Sequence, residues 1–165
     1  MNLSELAFDL DRHRHPIEAA AVYELRLQEP GATLKEFLNA AVLYFTLCDA
    51  GAIAHYSLHS AFVDFAWSRA NSILEVAIER FGQYNELRFW QKYFPYILLG
   101  GEDFADECLN IAREGPSLAP YVYLYAVTRD PLDAKMLAEL LSAIGEPSSE
   151  RERYLHSVGS SLLGS

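Results

Sequence analysis

From Ala61 to Phe81 the apolar residues Phe62, Ala66, Ala70, Ile73, Ala77 and Phe81 step by four, four, three, four and four. Asp64, Ser68, Asn71, Glu75 and Glu79 form the opposite stripe. A period of about 3.6 residues sustained over this length describes an amphipathic helix and is incompatible with a strand. A helix with one apolar stripe must lay it against other elements. The rest of the chain offers helices for that purpose. β-Branched runs are few, and no Asn-Gly or Asp-Gly hairpin turn occurs.

Helix punctuation recurs along the chain. Pro16 suits a first helical position, where the missing N–H costs nothing, and predicts a helix over Ile17–Glu29, stopped by Pro30-Gly31. Thr33-Leu34-Lys35-Glu36 is a capping box that opens a helix over Leu34–Asp49. Its "FLNAAVLYFTLC" is apolar on nearly every side, as in a helix buried between others. Gly51–Ser60 reads equally as a loop, a short helical turn or an early start of the helix at Ala61. Gly82 ends that long helix, and Asn85–Leu99 follows as a helix rich in large side chains. Pro95 inside it removes one intrahelical bond and predicts a kink or an early end. Gly100-Gly101 makes the turn into a helix over Glu102–Arg113, with Phe104, Ala105, Cys108, Leu109, Ile111 and Ala112 inward. Gly115-Pro116 stops it, and Tyr121–Val127 forms a short aromatic helix. Asp130 caps a helix with Pro131 first and Gly145 at its end. After the hinge "EPSSE", the capping box Ser149–Glu152 opens a last helix that ends near Leu163.

The expected architecture is all-α: seven or eight helices in antiparallel hairpins, stacked as a short solenoid in a single domain over 1–165. Residues 1–15 are an N-terminal segment, 16–145 the helical pairs, and 146–165 the hinge and last helix. The stretch from Tyr93 to Pro116 resembles the tetratricopeptide repeat, a helical hairpin of about 34 residues. Tyr96, Gly100, Ala105, Leu109, Ala112 and Pro116 fall at that motif's aromatic, turn-glycine, small, large, small and proline positions. Ala20, Tyr23, Leu27 and Pro30, followed by Ala41 and Tyr44, resemble the second helix of one unit and the first of the next. The resemblance is to a divergent form, with Gly51–Ser60 and Ala61–Phe81 outside the period. It implies stacked hairpins and protein binding. The string "NAAVLYF…FW…ILLGGEDF" also resembles small uncharacterised bacterial proteins, which implies no mechanism.

Composition narrows the partners. The formal net charge of −10 repels phosphate backbones and anionic membranes, so neither nucleic acid nor a bilayer is expected. A basic protein is the class that this field attracts; the plainer reading is that acidity keeps the chain soluble. No apolar run approaches the roughly 18–20 residues that span a membrane, and MNLSELAFDLDRHRHP lacks a secretory leader pattern. Cys48 and Cys108 lie within helices as reduced core thiols, which points to the cytoplasm.

No nucleophile elbow, phosphate loop or Cys/His pair is present, so no catalysis and no cofactor are expected. His55 and His59, spaced i, i+4, would share a face if helical, with Cys48, Asp49 and Asp64 nearby; zinc needs three or four such ligands. His13 and His15 flank Arg14 in a turn before Pro16. Glu102, Asp103, Asp106 and Glu107 gather at a helix start, either as a contact for Arg or Lys or as a solvated face. Tyr84, Phe89, Trp90, Tyr93, Tyr96, Tyr121, Tyr123 and Tyr125 are too many for a core alone, and Tyr and Trp favour half-wet interfaces. Together these residues predict an aromatic groove with an acidic rim that binds a protein or peptide. An immunity or antitoxin protein that neutralises a basic toxin is one alternative, and a chaperone of the type III secretion kind is another. A helical metal-dependent enzyme at His55/His59 is the rival class.

Overall fold

The computed structural model describes residues 2–164, which form ten α-helices and no strand. These residues gather into two compact units. The first comprises the chain up to Phe81 with Pro147–Arg153; the second comprises Gly82–Glu146 and the residues from Tyr154 on.

The first unit is built from α1 (Leu3–Arg12), α2 (Pro16–Leu27), α3 (Leu34–Thr46), α4 (Ala50–Tyr56), α5 (Ser60–Phe81) and the first turn of α10 (Glu150–Leu163). Its core is α3, in which every residue from Glu36 to Phe45 is buried. α3 packs against α2 and α5, and α1 against α2. On α5, Ala66, Ala70, Ile73, Leu74 and Ala77 are buried, so the small side chains of the predicted stripe let the helix approach closely. At its ends the stripe is wetter: Phe62 is half-buried and Phe81 is exposed, though still edge-on to Phe37.

Two helices exceed the expected seven or eight. Residues 1–15, read as a plain segment, contain α1, opened by a capping box between Asn2 and Glu5. Gly51–Ser60 holds most of α4, which Asp49 caps by accepting the Gly51 N–H. α3 stops at Thr46, three residues before the expected Asp49, and the chain bends by 80° into α4. The Thr46 hydroxyl donates to the Leu43 carbonyl there, at 2.9 Å. α4 ends where Ser57 takes a left-handed conformation, with φ 53°.

In the second unit, α6 (Asn85–Leu99) packs on α7 (Ala105–Arg113), α7 on α8 (Tyr121–Thr128), and α8 on α9 (Pro131–Ile144). Pro95 does not end α6; the helix continues for a further turn to Leu99. Proline has no N–H, so the Gln91 carbonyl lacks its donor one turn on. Gly100 closes the helix at φ 64°, and its N–H and that of Gly101 both donate to the Pro95 carbonyl. A Cβ on Gly101 would meet the Tyr96 backbone at 3.2 Å. Glycine at both positions therefore lets the chain turn tightly against α6. α7 begins at Ala105 rather than Glu102, because the Asp103 carboxylate takes the Ala105 N–H in a turn that competes with helix.

Candidate functional site

The α6–α7 turn forms one wall of a cleft of about 330 Å³. Tyr96 and Lys92 face it from α6, Glu102 and Asp103 from the turn, and Glu107 from the first turn of α7. Three carboxylates thus confront one ammonium, and Lys92 is already engaged with Glu107 at 3.1 Å. Phe104 and Tyr123 stack beneath, with ring centroids 4.0 Å apart and 9° between planes. Tyr96 stands edge-on to both. The Tyr123 hydroxyl donates to Asp103 at 2.5 Å and accepts the Phe104 N–H at 3.1 Å. That hydroxyl, helped by the Ala105 N–H, holds the Asp103 carboxyl below the usual carboxylate range. At neutral pH the cleft therefore carries a fixed, ionised carboxylate. Glu102 and Glu107 are exposed beside it, and a helix N-terminus favours such charges.

Four of the sequence-predicted residues, Tyr96, Glu102, Asp103 and Glu107, meet at this cleft. Asp106 is exposed on α7 and does not line it. The other aromatics have different positions. Phe89 and Trp90 have no exposure, and Tyr93 and Tyr123 have 4% and 1%. They form the core under the cleft instead of presenting a surface. The Trp90 indole N–H donates to Glu86 at 3.1 Å, and the Tyr93 and Tyr154 hydroxyls share a hydrogen bond at 3.0 Å. Tyr84, Tyr121 and Tyr125 are half-buried, and Arg129 lies over the Tyr125 ring. In place of a continuous aromatic groove, Tyr96 alone of the predicted aromatics lines the acidic cleft, beside Phe104.

His55 and His59 do not share a helical face. His55 lies in the last turn of α4, while His59 follows the left-handed Ser57 and accepts the Ala61 N–H on Nδ1. Among the described residues no three His, Cys, Asp or Glu side chains gather to hold a metal ion. His13, exposed, pairs with Asp9 at 3.3 Å. Both cysteines are free thiols, and burial pushes Cys48 up to about 11 and Cys108 up to about 12. Nearby Asp64 raises the first further, and Asp133 and Glu107 raise the second, so neither is an activated nucleophile. No single helix among the described residues is long and apolar enough to cross a membrane.

A larger cleft of about 420 Å³ lies in the first unit, walled by Glu5, Asp9, Arg12 and Lys35 around Phe8. Its two acids and two bases give it no net preference for charge. None of the sequence-predicted residues is there. What sequence reasoning missed is the buried Asp11 and Asn39 of this unit, which meet at the Tyr23 hydroxyl. The signal available for Asp11 was its place in α1, one turn after Ala7 on the inward face.

The chain matches no family model, no curated protein and no solved structure.

Proposed function

We propose that this chain is a non-catalytic protein-binding module with tetratricopeptide-like stacking of its hairpins. It takes a basic side chain of a protein or peptide partner into the cleft at the α6–α7 turn. The observation that carries this reading is the meeting of Tyr96 with Glu102, Asp103 and Glu107 in one cleft. An arginine or lysine entering it finds an aromatic ring, whose face attracts a cation, and carboxylates within one side chain's reach, a combination suited to guanidinium or ammonium. The net charge of −10 draws such a partner in from a distance. The succession of α6, α7, α8 and α9, each packed on the next, supports the repeat reading, with Gly100 at the turn position of the motif. Neutralising a basic toxin and chaperoning a basic secreted protein are narrower forms of the same mechanism. They differ only in the partner.

The test is binding of a labelled peptide of alternating arginine and glycine, with a glutamate-glycine peptide as control. Fluorescence anisotropy gives the affinity and amide NMR shifts give the location. The basic peptide is expected to bind, to shift Tyr96 and Gly101, and to lose about tenfold in affinity in the Glu102→Gln, Glu107→Gln double variant. Equal affinity for wild type and variant, or shifts confined to other residues, would remove the cleft from the mechanism.

A further inference from the structure

Lys92 stands on α6 one turn before Tyr96, a spacing that puts both side chains on one helical face. Both line the cleft at the α6–α7 turn. Glu107, in the first turn of α7, meets them there, with its Oε2 3.1 Å from Lys92 Nζ. Among the described residues that line the cleft, Lys92 is the one cation. Of the three carboxylates, Glu107 is the one that the chain itself answers with a positive charge. Asp103 is held differently: its Oδ1 accepts the Tyr123 hydroxyl and the Ala105 N–H, both uncharged donors.

The Lys92 and Glu107 side chains are 49% and 45% exposed. Water and salt reach the pair, and two long side chains lose freedom when they hold one geometry. Such a pair favours its closed form by about fivefold at most. That is too weak to shut the cleft and enough to compete with an entering cation.

Given the cleft as a site for a partner's basic side chain, on which this rests, we propose that Lys92 is a built-in competitor for it. The Lys92 ammonium holds the Glu107 carboxylate that an entering arginine or lysine needs, and the partner binds by displacing it. Two cations at one exposed carboxylate repel each other, so its attraction serves one of them fully. Once displaced, the ammonium returns to water, where it is strongly hydrated. A basic side chain that reaches Glu107 alone gains little, because one cation is exchanged for another. A side chain that also reaches Asp103 or the Tyr96 ring gains from contacts that Lys92 does not contest. Lys92 thus sets a threshold that selects for partners filling the whole cleft.

The experiment uses the full chain and the arginine-glycine peptide, with affinity from anisotropy and location from amide NMR shifts. Removing any lysine near the cleft lessens repulsion of the peptide, so Lys92→Gln is measured in two backgrounds, wild type and Glu107→Gln. Repulsion is relieved in both, whereas competition is relieved only where Glu107 is present. Lys92→Gln is expected to raise affinity about three- to fivefold in wild type and less than about twofold in Glu107→Gln. Peptide binding at the cleft with no gain, a loss, or an equal gain in the two backgrounds overturns the role of Lys92 and leaves the cleft as a binding site. If neither wild type nor Lys92→Gln binds the peptide at the cleft, the binding site itself falls, and the competitor with it.

Discussion

Trp90 shows how far a single residue can depart from the role its type suggests. Its indole is wholly buried among Phe89, Tyr93, Phe94 and Tyr154, with its N–H held by Glu86. Trp90→Ala is expected to destabilise the chain by about 3–5 kcal/mol, read as a shift of the denaturation midpoint. A variant that lost partner binding without losing stability would contradict this placement. Tyr96, three positions after Tyr93 on the same helix, stands at the cleft. Nothing in the local sequence separates the two, because α7 and α8 decide which ring they cover. Both cysteines were read as core thiols within helices: Cys108 is buried on α7, whereas Cys48 is half-buried in the turn between α3 and α4, because α3 stops at Thr46. Cys108 is expected to resist iodoacetamide at neutral pH until the chain is unfolded, which mass spectrometry with and without urea would show. Rapid labelling of the folded chain would mean that the thiol is reachable.

At the scale of elements, caps explain most of the agreement between sequence and structure. Thr33 and Glu36 form the predicted box at the start of α3. Thr33→Ala is expected to cost about 1 kcal/mol of stability in urea denaturation. Glu36 does more than cap: Arg26 and Ser4 also donate to it. Burial alone would raise its carboxyl, and the bonds from Ser4, Thr33 and Arg26 outweigh that and hold it below the ordinary value of 4.5. Stability from Glu36 is thus present above 4.5 and is lost as acid protonates it below that value. Glu36→Gln should remove this acid-side decline in the melting temperature; an unchanged slope would assign the decline to other groups. Gly115 belongs here too. A Cβ there would meet Asn85 Cγ at 2.5 Å, at the start of α6, so Gly115→Ala is expected to destabilise by roughly 1–3 kcal/mol. α1 carried the same kind of legible signal in Asn2 and Glu5, and α4 had only its N-cap Asp49. No residue of α4 is buried, so no apolar stripe marked it as a helix.

For the whole molecule, the net charge of −10 acts in two directions. Self-repulsion works against the folded state, and attraction favours a basic partner. Raising ionic strength from about 0.01 M to about 0.15 M shortens the screening length from about 30 Å to about 8 Å. The melting temperature is expected to rise over that interval while affinity for the arginine peptide falls. Scanning calorimetry and anisotropy on the same samples would test the pair of signs. An affinity indifferent to salt would show that the cleft does not work by charge.

The sequence by itself determined the helical class, most helix limits, and the gathering of acid at the α6–α7 turn. Periodicity, proline, glycine and capping residues act over one or two turns of chain, and their signal is local. Tertiary structure alone decided which aromatics are core, that His55 and His59 part at Ser57, and that Tyr96 meets Glu102, Asp103 and Glu107 in one cleft. It also placed Asp11 against Glu150 and Arg153, almost the whole chain away. Burial and long-range pairing depend on which faces come together, and residues distant in sequence supply those faces.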